Sequence, residues 1–217
     1  GMVSERTKLV YIASPNNPAG VVTPPEDVVR MCEAFPGTLF LIDEAYFEFS
    51  GVSSVPLVGR YPNVIVTRTF SKCFGIAGLR VGYLMASDPV LLQLRKLYNP
   101  KSVNVLGQRA AIAALSDREV RDNFVAEVRA SREYLAKELV ARGADARATS
   151  ANFVCVKVRD PHGLVRAFET VGVFVRDRSS IRGFEGYVRI TVGTVDQMRD
   201  LVGRIDRLLA LRPDLLS

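Results

Sequence analysis

Histidine, cysteine and long apolar runs are all scarce in this chain. One histidine, His162, stands among 217 residues, and the three cysteines, Cys32, Cys73 and Cys155, are scattered with no C-x-x-C pair. That scarcity excludes the usual zinc sites, and a Ser-His hydrolase scheme would have to rely on His162 alone. An odd, scattered set of cysteines points to reduced thiols and a cytoplasmic setting. No G-x-x-x-x-G-K-[ST] or G-x-G-x-x-G run is present, so the P-loop and dinucleotide fingerprints are missing. No apolar stretch approaches the roughly 18 residues of a membrane span, so no membrane partner is expected. The segment from Gly1 to Arg6 has no apolar centre, so no secretory signal is expected there. Gly1 ahead of Met2 reads as a tag-cleavage remnant, which places the native start at Met2.

What is present is ordinary for a globular chain. Hydrophobic residues make up 48% and charged residues 24%, which excludes disorder and collagen-like structure. The length suits one large domain or two small ones with a substantial core. The net charge is +6, yet Arg and Lys are interspersed with Asp and Glu along helical segments. The charge therefore reads as solvated surface with a bias toward small anions, and no nucleic-acid partner is expected.

Short apolar runs alternate with helical patterns through the first half. Strands are expected at residues 9–13, 38–42, 64–67 and 81–85, the first as a buried strand and the last weakened by Gly82. Thr23-Pro24-Pro25-Glu26 reads as a helix start, with Thr23 as N-cap of a capping box. This β-α-β alternation predicts a parallel or mixed sheet covered by helices. A helical stretch follows over residues 91–115, broken near Asn99-Pro100. Val120, Phe124, Val128, Ser131, Leu135 and Leu139 then mark one face of a long helix that Gly143 stops. Beyond it the pattern predicts strands at 153–158, 173–175 and 187–192 and a helix near 164–170. A last helix opens on a Thr194–Gln197 capping box. The expected layout is a sheet domain over 1–117, a connecting helix over 118–142 and a small α+β domain over 143–217.

Three polar clusters follow predicted strands. They are Ser14-Pro15-Asn16-Asn17-Pro18-Ala19-Gly20, Asp43-Glu44-Ala45-Tyr46, and Thr69-Phe70-Ser71-Lys72 with Gly78-Leu79-Arg80 shortly after. In an open α/β sheet, ligands bind at the carboxyl ends of the strands. Singly, the first cluster is a turn, the second a helix cap or exposed pair, and a lone Lys is surface. All three in order on one edge are hard to credit to turns alone.

Together with Val188-Arg189-Ile190-Thr191-Val192-Gly193-Thr194, these motifs resemble the pyridoxal-phosphate (PLP) aminotransferases of fold type I, class I/II. The nearest likeness is to the histidinol-phosphate aminotransferases. It runs from near residue 8 to about residue 210, and Ala19 stands where the family often has Thr. The resemblance implies an α/β fold: part of a mostly parallel PLP-transferase large-domain sheet with helices on its faces, then a smaller α+β domain. It implies PLP as cofactor, no metal, an amino donor and a 2-oxo acid as substrates, and a homodimer in the cytoplasm. Lys72 is implied as the residue that joins PLP through its amine and then moves the proton, for which it must be neutral; a desolvated site near cations favours that form. Asp43 is implied as partner of the protonated pyridine nitrogen. Asn17 and Tyr46 are implied at the phenolic oxygen, Thr69, Ser71 and Arg80 at the phosphate, Arg189 at the substrate carboxylate and Arg176 at the distal group.

Other roles compete at several of these positions. Tyr46 could be a packed aromatic beside Phe47 and Phe49. Thr69 or Ser71 could only cap a turn. Arg189, in an apolar run, needs a partner that could be a structural acid. His162 reads as helix decoration, and Asn152 as a turn residue or a substrate contact.

In the family an N-terminal third precedes the Asn-Asn-Pro segment, and nothing in this chain matches it. The resemblance therefore implies a truncated member with uncovered strands. The leading expectation is a histidinol-phosphate-type transaminase acting with 2-oxoglutarate in histidine biosynthesis. The alternatives are a phosphothreonine decarboxylase-like enzyme, or a catalytically impaired fragment that folds and associates.

Overall fold

The computed structural model describes residues 3–97, 99 and 101–217. The chain divides into two compact units. The first holds residues up to Asn17 and from Val21 to Asp122; the second holds Pro18–Gly20 and Asn123–Ser217.

The first unit is built on a four-stranded sheet ordered β1-β2-β3-β4, with β1 at Leu9–Ala13, β2 at Leu39–Asp43, β3 at Val64–Thr69 and β4 at Gly82–Ala86. The first three strands run parallel and β4 returns antiparallel. Alternation gives the sheet two unlike faces. The back face carries Phe40, Ile42, Val64 and Val66, all fully buried, and packs with Val28 and Cys32 of helix α1 (Pro25–Ala34). The front face carries Leu9, Tyr11 and Leu84, which are 52%, 59% and 40% exposed. The buried first strand expected from its apolar run is thus half right: Val10 and Ile12 pack on the core while Leu9 and Tyr11 do not. Gly82 keeps β4 close to β3 where a side chain would not fit, since a Cβ there would lie 2.9 Å from the Arg68 carbonyl oxygen.

The Thr23 capping box does not form. Pro24 is the N-cap of α1, with no side-chain cap bond. The Thr23 amide instead donates to Ser14 Oγ at 2.9 Å, which ties the helix entry to the end of β1. A four-residue helix that the pattern did not predict, α2 (Phe47–Ser50), ends at Gly51 in the left-handed region. The expected break between helices is found, with α3 at Asp88–Leu94 and α4 at Val105–Ser116; Pro100 lies outside the described residues.

Helix α5 (Arg118–Ala141) contains the boundary between the units. Its buried face is Val125, Val128, Ser131, Arg132, Leu135, Ala136 and Leu139, while the expected Val120 and Phe124 are 64% and 39% exposed. Gly143, at φ +86°, ends the helix as its sequence implies. The second unit holds an antiparallel sheet ordered β5-β6-β8-β7 and two helices, α6 (Pro161–Thr170) and α7 (Val195–Leu211). Strands β6 (Phe153–Lys157) and β8 (Tyr187–Thr191) match expectation within a residue. β5 (Asp145–Ala148) escaped notice because Asp-Ala-Arg-Ala carries no β-branched residue. The strand expected at 173–175 is instead a two-residue β7 at Arg176–Asp177. The Val173 amide still donates to the Phe168 carbonyl and closes the end of α6, so the ladder starts later. Thr194 and Gln197 form the predicted capping box of α7.

A buried ion pair locks the end of β2 to β3. Glu44 and Arg68 side chains are 1% and 13% exposed, and Arg68 Nε and Nη2 donate to Glu44 Oε2 at 3.0 and 2.8 Å. Ser53 Oγ donates to the same oxygen at 2.9 Å, and the Ser54 amide to Oε1 at 2.5 Å. Arg68 also lies 3.5 Å from the Phe47 ring centroid.

Two outcomes follow from this packing. Glu44→Gln leaves the Arg68 guanidinium buried without its counter-charge, so urea unfolding should show a loss of about 3 kcal/mol. A double change with Arg68→Met should recover most of it. Burial pushes the Cys73 thiol up to about 12 and the Cys155 thiol up to about 11, and raises Cys32 as well. All three should resist a disulfide reagent at pH 8 in the native chain and react once it is unfolded.

Candidate active site

Because β1, β2 and β3 are adjacent and parallel, their carboxyl ends share one edge. In the first loop, Asn16 Oδ1 accepts from the Val21 amide at 3.0 Å, and the Ser14-Pro15 peptide is cis. Asn17 follows, exposed. Asp43 is the last residue of β2 and lies on the front face, opposite Ala13 and Thr67. Its Oδ1 accepts from the Ala45 amide at 3.2 Å and its Oδ2 from the Tyr11 hydroxyl at 2.5 Å. That hydrogen bond, with some burial and the carboxylate charge, pushes the Tyr11 phenol up to about 12. Tyr46 caps α2 and is 7% exposed, so it is both a packed aromatic and a neighbour of the lysine.

Thr69 closes β3, and its Oγ1 accepts from the Ser71 amide at 3.1 Å, which leaves the hydroxyl proton free to donate elsewhere. Lys72 follows, with Nζ 5.6 Å from the Tyr46 ring centroid. It is exposed, in contrast to the desolvated position expected for it. Arg80 ends a short 3-10 turn, Ala77–Leu79, in the left-handed region at φ +55°, and is the non-glycine residue with positive φ among the described residues. Such a conformation costs of order 1 kcal/mol or more and tends to mark sites where a side chain must be aimed. The seven expected residues Asn17, Asp43, Tyr46, Thr69, Ser71, Lys72 and Arg80 all lie in the first unit.

Arg176 and Arg189 lie in the second unit. They are direct cross-strand partners on β7 and β8, so two guanidinium groups share one face of the small sheet. The Arg189 guanidinium is 5.2 Å from the Phe153 ring centroid. His162 is exposed on α6, and Asn152 accepts from the Val192 amide through its backbone carbonyl. Among the described residues no group of His, Cys, Asp and Glu could hold a metal.

The donor set has a definite chemistry. An amine, a carboxylate, a phenol, two hydroxyls and a guanidinium leave one sheet edge. They match a cofactor that carries an aldehyde, a basic ring nitrogen and a phosphate. Tyr11 and Arg68 carried no role in the sequence, and Glu44, expected in a helix cap or an exposed pair, is instead buried against Arg68. The available signal for Tyr11 was a polar tip inside an apolar run.

The family model for aminotransferase class I and II matches residues 2–205. A histidinol-phosphate aminotransferase of Caldanaerobacter subterraneus subsp. tengcongensis is 37% identical over 208 residues, covering 94% of this chain and 58% of that protein. The crystal structure of histidinol-phosphate aminotransferase from Sinorhizobium meliloti, in complex with pyridoxal-5'-phosphate, aligns at a TM-score of 0.84 and 30% identity, covering 94% of this chain and 57% of that one. L-threonine-O-3-phosphate decarboxylase from Porphyromonas gingivalis aligns at 0.82 and 23% identity over 94% of this chain and 65% of that one, a likeness of fold. The chain thus spans a little under three-fifths of the curated relatives' length that it matches. With the family model matched from residue 2 to residue 205, this chain belongs to the class I and II aminotransferases.

Proposed function

We propose that this chain is a PLP-dependent aminotransferase of the histidinol-phosphate type, moving an amino group between a phosphorylated amino alcohol or amino acid and 2-oxoglutarate. The observation that carries the reading is the single sheet edge where the parallel strands β2 and β3 end on Asp43 and Thr69 and the segments that follow them carry Tyr46, Ser71 and Lys72. When bound, PLP supplies an electron sink beside the amino carbon.

The chain's own residues do the rest. Lys72 Nζ would carry the proton between the substrate Cα and C4′ of the cofactor, so it must cycle between neutral and charged forms. Asp43 holds the proton on the ring nitrogen. Asn17 and Tyr46 donate to the phenolic oxygen. Thr69, Ser71 and Arg80 bind the phosphate, and the spare proton on Thr69 Oγ1 suits that role. Arg189 grips the α-carboxylate and Arg176 the distal anionic group. The two guanidinium-bearing residues stand directly opposite on adjacent strands, a placement that suits an anionic ligand.

The domain layout is part of the proposal, with 1–117 as the carboxyl-terminal part of the cofactor-binding domain, 118–142 as connecting helix and 143–217 as small domain. So are a homodimer and a cytoplasmic setting, the latter supported by three free cysteines.

The test is a visible absorbance spectrum of the chain mixed with PLP, beside Lys72→Ala, before and after borohydride. A band that borohydride abolishes and Lys72→Ala lacks is expected. L-histidinol phosphate should then bleach the band in a single half-reaction. No lysine-dependent band, or a band that no amino donor alters, overturns the reading for this chain. With glutamate, an amino donor that carries an α-carboxylate, Arg189→Ala should raise the concentration needed to bleach the band by roughly 30- to 150-fold, the size of one lost charge-assisted fork.

A further inference from the structure

We infer that Tyr11 is a positioning residue that aims the Asp43 carboxylate at the cofactor's ring nitrogen. The inference rests on the PLP reading above. Tyr11 pairs with Leu41 and Ala13 with Asp43, so Tyr11 sits diagonally from Asp43 on the same face of the sheet. Diagonal neighbours are within reach of a long aromatic side chain. The phenol donates to Asp43 Oδ2 at 2.5 Å while the Ala45 amide donates to Oδ1 at 3.2 Å. Each carboxylate oxygen is therefore held by one donor, and the carboxylate plane cannot swing.

Burial does not account for this tyrosine. It is 59% exposed on the half-open front face, and apolar packing there asks for no hydroxyl. A carboxylate oxygen has about two acceptor positions, so Oδ2 can keep the Tyr11 proton and still meet a second donor. The phenol's late titration, with the Asp43 hydrogen bond as its largest cause, agrees with the geometry.

The first arm of the test needs no cofactor. At pH 10.5 an ordinary tyrosine is mostly ionised. The ultraviolet difference between the wild-type chain and Tyr11→Phe should show Tyr11 still protonated there, and Asp43→Asn should let it ionise. A Tyr11 that ionises normally in the wild type overturns the inference. The second arm loads the same chains with PLP. Tyr11→Phe removes a hydroxyl at an exposed position, so the variant should fold and its melting temperature should fall by no more than about 5 °C. It should hold PLP roughly three- to tenfold more weakly, the net contribution of one hydrogen bond. The pH midpoint of its visible band should also rise, because a poorly aimed Asp43 holds the ring proton less firmly. If the wild type gives a lysine-dependent band and Tyr11→Phe changes neither affinity nor midpoint, the inference is wrong and the PLP reading stands. If the wild type gives no such band, the PLP reading falls and this inference falls with it.

Discussion

A carboxylate with almost no access to water, that of Glu44, constrains the whole site edge. A charge removed from water must find a counter-charge and fill its lone pairs, or the fold loses several kcal/mol. Glu44 meets that demand with Arg68 from β3, the Ser53 hydroxyl and the Ser54 amide. The partners come from two different segments. The turn after β2 therefore cannot move without the loop after α2 and the end of β3 moving too. Asp43 precedes Glu44 and Thr69 follows Arg68, so the two residues proposed to hold the cofactor inherit their spacing from this buried pair. Phe47 stacked on Arg68 shields the pair further.

The pleat of the sheet separates these two jobs. Arg68 lies on the strand face that packs the core, and Asp43, Thr67 and Thr69 lie on the other. A one-residue slip of β3 would exchange the faces, placing the guanidinium at the ligand side and hydroxyls in the core. The apolar back face, with Val64 and Val66 fully buried, makes that slip costly. Core packing and site geometry are thus set by one register.

Much of this was legible in the chain itself. The first strands announce themselves as short apolar runs, and the candidate site edge appears as polar clusters directly after them. Lys72, Asp43 and Tyr46 were recognisable because family motifs are local in sequence. What stayed hidden depends on partners distant in the chain. The Tyr11–Asp43 bond spans 32 positions and exists only because β1 and β2 pair in one particular register. Glu44 and Arg68 each look like ordinary surface charges until the turn between them closes. At Thr23 a sound local signal lost to a tertiary competitor, since Ser14 takes the amide that would have begun a capping box. β5 failed for the opposite reason: its composition resists the strand that its neighbour β6 imposes by antiparallel pairing.

Pro18–Gly20 belongs with residues 123–217 although its flanks belong to the first unit. The second unit uses this insert structurally. Ser150 donates its amide to the Gly20 carbonyl, Cys155 its thiol to the Pro18 carbonyl, and Thr149 fills the space where a Cβ on residue 20 would stand. The second unit is therefore discontinuous, completed by three residues that reach it about a hundred positions early. A chain begun at residue 123 would lack the groups that meet Thr149, Ser150 and Cys155. Substitutions at Pro18–Gly20 and at Thr149–Cys155 are therefore coupled, although more than a hundred positions separate them in the chain.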